Sequence, residues 1–205
     1  MSDLRAELLG RRGAVIPPYR MLLPPGWEAY DLSDQAEKEL IARATARLKS
    51  AQATEAFTLN LTRGVRDALA SVRAQNGFLY AFAGEASPTW ALGPASMIGI
   101  KRTSTPEAPL TSIVQRMITD HGGVAVGEGQ KIVRWTDRRP VSLDGVDAVS
   151  FMINYLIPVP GSKLTEAVQW TVTVPHDVDI PEDDELIELW VALFDSHVAT
   201  FTWQA

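Results

Sequence analysis

The sequence has no cysteine, only three histidines (His121, His176 and His197) and only five lysines against 14 arginines. Without cysteine, disulfide frameworks, cysteine-ligated zinc, iron–sulfur clusters and thiol nucleophiles are all excluded. Long apolar runs are missing too: nowhere do about 18 apolar residues stand together, so no membrane span is expected. Residues Met1–Gly13 read MSDLRAELLGRRG, and charges interrupt every short apolar stretch, leaving no apolar core for a secretory signal. These absences point to a cytoplasmic protein with no lipid anchor. Basic residues vanish from His176 to Ala205, where eight acids (Asp177, Asp179, Glu182, Asp183, Asp184, Glu185, Glu188 and Asp195) meet no Lys or Arg. The net charge of −6 therefore sits at one end of a nearly neutral chain. A phosphate-backbone partner needs Lys and Arg clustered on one face, so this balance argues against nucleic acid.

What remains is ordinary for a globular chain, with 46% hydrophobic and 21% charged residues in 205. A chain of this length buries roughly 70% of the surface exposed when unfolded, and needs no metal or disulfide staple. The periodicity predicts a short helix over Met1–Arg12 and then strands at Tyr19–Leu23 and Trp27–Leu32, paired through a Pro24-Pro25-Gly26 turn. Ser33 or Asp34 can cap a helix carrying Leu40, Ile41, Ala44 and Leu48 on one side. A second helix, about Thr54–Gln75, places Phe57, Leu61, Val65, Leu69 and Val72 on one stripe and stops at Asn76-Gly77. Gly64 inside it costs about 1 kcal/mol relative to alanine unless a close neighbour needs the room.

After Gly77 the period drops to two: Phe78, Tyr80 and Phe82 alternate with Leu79, Ala81 and Ala83. A strand at Ala95–Thr103 follows, then a helix at Pro106–His121 capped by Ser104 or Thr105 and ended by Gly122-Gly123, then a strand at Lys131–Thr136. The clearest pattern is Val149, Phe151, Ile153, Tyr155, Ile157 and Val159, then Pro160-Gly161-Ser162-Lys163, then Val168, Trp170, Val172 and Val174. Two alternating segments around a Pro-Gly loop make an antiparallel hairpin. A final helix, about Pro181–Thr200, buries Leu186, Ile187, Trp190, Leu193, Phe194, His197, Val198 and Phe201, and turns Glu188 and Asp195 outward. Strands and helices come in runs, which defines an α+β fold with a twisted antiparallel sheet of six to seven strands flanked by helices. The whole chain, 1–205, reads as a single domain, with 1–16 an extension and 17–204 the folded unit.

Catalytic signatures are lacking: there is no G-x-S-x-G, H-E-x-x-H, G-x-x-x-x-G-K-[ST] or protein-kinase set. The Gly-rich stretch Gly122–Gly129 follows a helix and precedes a strand, the reverse of the order that cradles phosphate. His121 and His197 fall on apolar helix faces with no carboxylate at i+3 or i+4, and read as packed residues. The acids after His176 are the densest set of metal-ligand types. Pro181 breaks their alternate spacing, and Asp183, Asp184 and Glu185 suit the first turn of a helix, so no metal site and no cofactor is assigned. Arg134, Arg138 and Arg139 beside Trp135 read as a solvated strand end and turn.

The order of elements resembles the PsbP-like fold, shared by photosystem subunits, Mog-type proteins and actinobacterial LpqN-type proteins. Pro24-Pro25-Gly26-Trp27 carries the resemblance, with Tyr155-Leu156-Ile157-Pro158-Val159-Pro160-Gly161-Ser162 closing a long strand and Phe194-Asp195 before Thr200-Phe201-Thr202-Trp203. The resemblance implies an α/β/α sandwich and a protein that acts by binding other proteins. LpqN-type proteins are usually lipoproteins, and this chain lacks their cysteine. No catalytic residue is assigned. The leading expectation is a non-enzymatic interaction adaptor with a partner surface at Asp177, Asp179, Glu182, Asp183, Asp184, Glu185 and Glu188, suited to a basic protein. The alternative is a binder of a small apolar ligand, or a cryptic enzyme. Its pocket would lie between the sheet and helices 34–75, lined by Phe78, Tyr80, Phe82 and Trp90.

Overall fold

Alternation at period two dictates a sheet, and the chain delivers it in a computed structural model that describes residues 15–50, 52, 54–88, 95–127, 131–143 and 146–204. The elements run β1 (Tyr19–Arg20), β2 (Trp27–Asp31), α1 (Asp34–Ser50), α2 (Glu55–Ala74), β3 (Gly77–Ala83), β4 (Ser96–Thr103) and α3 (Leu110–His121). They continue β5 (Val124–Val126), β6 (Ile132–Leu143), β7 (Val146–Pro158), β8 (Glu166–Asp177), α4 (Glu185–Val198) and β9 (Thr202–Trp203). Seven strands form one antiparallel sheet in the order β2-β3-β4-β8-β7-β6-β5, and β1 pairs separately with β9. The fold is α+β, as the alternation implied. No helix among the described residues is long and apolar enough to cross a membrane.

The β7–β8 hairpin forms in the register that puts like with like: Phe151 opposite Val174, Ile153 opposite Val172, Tyr155 opposite Trp170 and Ile157 opposite Val168. These eight side chains face α4, which buries Ile187, Trp190, Phe194 and Val198 against them. Asp184 caps α4, its Oδ1 accepting the Leu186 N–H at 2.8 Å. Gly99 on β4 stands opposite Trp170 on the same face. A Cβ at Gly99 would lie 2.5 Å from the Phe78 ring, which packs edge-on against Trp170 with centroids 5.1 Å apart.

Three helices share the opposite face. Ser33 caps α1 through its Oγ, which accepts the Ala36 N–H at 3.1 Å. Arg73 near the end of α2 donates to Glu37 at 2.6 Å and to the Leu32 carbonyl at 2.9 Å, tying α2 to the start of α1. Beside β6, α3 packs Leu110, Ile113, Val114 and Met117 on Trp135, Leu156 and Ala167. Between the α1–α2 pair and α3, the middle of the sheet is only partly covered.

Several expectations are corrected. Pro24-Pro25-Gly26 does turn, with Gly26 at φ +76° and the Trp27 N–H on the Pro24 carbonyl, but β1 leaves to pair with β9 and forms no hairpin with β2. Helix α3 starts at Leu110, not at Pro106. Pro109 restricts the residue before it, and Ala108 instead closes a turn onto Thr105. Strand β6 runs on to Leu143, so Arg134, Arg138 and Arg139 lie within a strand, not at its end. Along α2 the predicted stripe is buried only at Leu69, while its Phe57 and Leu61 are 55% and 37% exposed. Leu186 is exposed and Asp195 turns inward, the reverse of the expectation for α4. The helix expected over Met1–Arg12 lies outside the described residues.

Candidate functional site

Phe78, Tyr80 and Phe82 share a face only if β3 is regular, and it is not. A register shift between Gly77 and Leu79 turns Phe78 to the α4 side, against Tyr19 and Trp170. Tyr80 and Phe82 stay on the opposite side, where Phe82 stacks on Tyr30 at 5.6 Å. The cleft between the sheet and α1–α2 holds about 200 Å³ and is lined by Tyr30, Leu40, Leu48, Leu61 and Phe82 among others, without Phe78 or Tyr80. Arg43 closes one side of it, donating to the Glu28 carboxylate at 2.7 Å and to the Tyr30 hydroxyl at 2.6 Å. The bond from Arg43, and after it one from the Tyr30 hydroxyl at 2.7 Å, hold the Glu28 carboxyl below its ordinary pKa. Trp90 lies outside the described residues.

The acids Asp177, Asp179, Glu182, Asp183, Glu185 and Glu188 are exposed around the β8–α4 connection, and Asp184 is half-buried as the cap of α4. Val178 and Leu189, at 50% and 64% exposed, and Leu186 stand among them. Among the described residues no group of three acidic or histidine side chains converges to hold a metal ion. His176 is buried in β8, its Nδ1 2.8 Å from the Asp177 carbonyl and its ring beside Trp190.

Asp195, expected outward, joins α4 to the sheet. The Tyr155 hydroxyl donates to its Oδ1 at 2.9 Å, and Arg134 Nε lies 3.2 Å from Oδ2 as an ion pair not aligned for a hydrogen bond. Burial raises the pKa of the Asp195 carboxyl, partly offset by Tyr155 and then Arg134. Burial, reinforced by Asp195, drives the Tyr155 hydroxyl far up. The hollow beside this link, about 700 Å³ between β6 and α4, includes Glu182, Glu188 and Arg138, and the Arg138 guanidinium is spent on the Ile180 carbonyl.

The arrangement that sequence reasoning missed lies on the partly covered face. Asn154 and Thr171 are 4% and 9% exposed, in the middle of the sheet, where a covered face would carry apolar side chains. Thr171 donates to Asn154 Oδ1 at 2.8 Å, and Gln169 Nε2 donates to Asn154 Oδ1 and Thr171 Oγ1, both at 3.1 Å. Arg102 Nε donates to Gln169 Oε1 at 2.8 Å, and Asn154 Nδ2 donates to Asp137 Oδ2 at 3.2 Å. His121 Nδ1, at the end of α3, is 3.3 Å from Asp137 Oδ1. One chain of polar contacts thus crosses β4, β8, β7 and β6 and reaches a helix terminus. It floors a groove of about 500 Å³ walled by Ile98, Ile100, Ile113, Met117, Trp135 and Met152. The signal in the sequence was the run of polar partners Asn154, Gln169 and Thr171 on the even side of β7 and the odd side of β8.

No family model matches this chain, and no curated protein does. The crystal structure of LpqN, a protein involved in cell envelope biogenesis of Mycobacterium tuberculosis, is similar with a TM-score of 0.42 and 12% identity. The match covers 93% of this chain and 85% of that one. A likeness of that strength carries no argument about function.

Proposed function

We propose that the protein is a non-enzymatic accessory factor that works by binding, and that the groove over β4, β8 and β7 takes a small ligand. The observation that carries this is the buried polar chain from Arg102 to Asp137 at the base of an open hollow with apolar walls. Buried polar groups persist where they are hydrogen-bonded, and a concave site with few convergent polar groups among apolar ones is the usual form of a ligand site. Thr171, at the base of the groove, is bonded to the Gln169 and Asn154 amides, which positions neutral donors and acceptors toward a ligand. An amide-resolved NMR screen of small polar and amphipathic compounds tests the proposal, with a groove-filling Thr171→Trp variant as control. Hits should shift the Asn154 and Gln169 side-chain amides and be lost in the filled variant. Hits clustering elsewhere would reject it.

A protein-adaptor role has its own support in the β8–α4 surface, where Val178, Leu186 and Leu189 are exposed among the acids. Such a mixture suits a partner segment that is basic with apolar flanks, steered by charge and held by apolar burial. Crosslinked partners should be lost together in Leu189→Ser and in Glu182→Lys/Glu185→Lys, and should weaken with salt. A partner indifferent to both variants docks elsewhere.

A further inference from the structure

The groove is unlike the rest of an acidic protein. Among the described residues, three arginines line it (Arg102, Arg116 and Arg139) and the one acid lining it is Asp137, which His121 and Asn154 already engage. Arg102 is half-buried on β4, and among the described residues its one hydrogen-bond partner is Gln169, through Nε. Among the described residues no carboxylate is paired with it and its terminal nitrogens have no hydrogen-bond partner, while the side chain lines the groove. The head is only partly withdrawn from water, so an acceptor placed on those nitrogens replaces hydration that the groove has already thinned. Consistent with that, burial alone lowers its pKa. Gln169 fixes the direction of the fork, being itself locked to Asn154 and Thr171. The walls beside it are apolar and include the half-buried Ile98, Ile113 and Met117, with Trp135 beneath them.

Resting on the groove reading above, we infer that the ligand is a small organic carboxylate, its carboxylate on the Arg102 fork and its apolar body along Ile98, Ile113 and Met117. A planar carboxylate matches the two parallel N–H groups of a guanidinium, and such pairs are shorter and roughly twice as strong as neutral hydrogen bonds. Arg116 and Arg139, both exposed at the rim, add a field that draws an anion in and is screened by salt. A fully hydrated inorganic anion would leave the apolar walls unused.

Binding of benzoate, phenylacetate and octanoate, each against its neutral amide and against inorganic phosphate, decides the matter by calorimetry and by NMR. The expected result is that at least one acid shifts the Trp135 indole and the Gln169 amide and binds about tenfold or more tighter than its amide. Arg102→Met should erase that preference, Arg102→Lys should restore part of it, and the amide-region spectrum should show both variants folded. Equal binding of acid and amide, or indifference to Arg102→Met, overturns the carboxylate while leaving a ligand groove standing. Phosphate binding tighter than every acid overturns the apolar body. Silence of the groove toward all probes overturns both the inference and the reading beneath it.

Discussion

The two faces of the β7–β8 hairpin were built from the same alternation and ended differently. Toward α4 lie Phe151, Ile153, Tyr155 and Ile157 opposite Val174, Val172, Trp170 and Val168, all buried. Toward the other helices lie Met152, Asn154 and Leu156 opposite Thr173, Thr171 and Gln169. One amphipathic helix lies across the first face and brings Trp190 and Phe194 to it. The second face is shared by helices that arrive from two sides, which leave a groove over its centre with buried Asn154 and Thr171 at the base. A face closed by its own chain gains most from apolar side chains, each buried large residue contributing about 1.5–3 kcal/mol. A face left open can carry polar groups, provided they satisfy one another. The difference separates the part of the molecule that holds the fold from the part free to meet something else.

The sharpest test of that division is Phe194→Ala, which empties the closed face where Phe194 meets Trp27 with ring centroids 5.5 Å apart. It should lower the unfolding free energy by about 3–5 kcal/mol in urea titrations. The same measurement on Thr171→Val, on the open face, should lose only about 1 kcal/mol. The hydroxyl bond goes, but Asn154 Oδ1 keeps Gln169 as a donor. Comparable losses at the two positions would mean that both faces carry the fold equally.

Between these extremes stands Tyr155→Phe, which cuts the bond to Asp195 and should cost about 1.5–3 kcal/mol near neutral pH. Its pH dependence follows from the raised pKa of Asp195. A carboxyl with a raised folded pKa contributes stability below its unfolded value near 4, and that contribution is lost as pH rises through the folded value. Tyr155 favours the ionised form, so removing it raises the folded pKa further and enlarges the loss. The variant should therefore be more destabilised, relative to the parent, at about pH 7 than at about pH 3. A difference that is constant with pH would show that Tyr155 acts through packing alone.

Much of the closed face was legible beforehand. Odd-position apolars from Phe151 to Ile157 and even-position apolars from Val168 to Val174 left one register open to the hairpin, because a slip of one residue would expose all of them. The candidate site was less legible. Gln169, Thr171 and Thr173 look in sequence like any solvent-facing row, and only the placement of α3 beside them turns that row into the floor of a groove. Asp195 misled for a related reason: helical spacing puts it beside the apolar stripe, and only the depth of Tyr155 and Arg134 shows which neighbour it meets. The aromatic trio failed on a local event, the shift between Gly77 and Leu79 that sends Phe78 to the far side of the sheet. Alternation cannot report a bulge that changes its own phase.

The smallest expected effect probes how loosely the open face is covered. Helix α2 buries only Leu69 among its residues, and Phe57 and Leu59 project into solvent, so its N-terminal half owes little to packing. There, intrinsic helix propensity should govern. Gly64 lies in that half, and a Cβ added to it would meet nothing within 4 Å. Gly64→Ala removes backbone freedom from the unfolded chain at no steric cost, and should raise stability by roughly 0.5–1 kcal/mol. Gly99→Ala is its counterpart on the closed face and should do the opposite, since its Cβ would strike the Phe78 ring. If Gly64→Ala instead destabilises, something outside the described contacts rests against α2 at that point, and the open face is more covered than its exposed side chains imply.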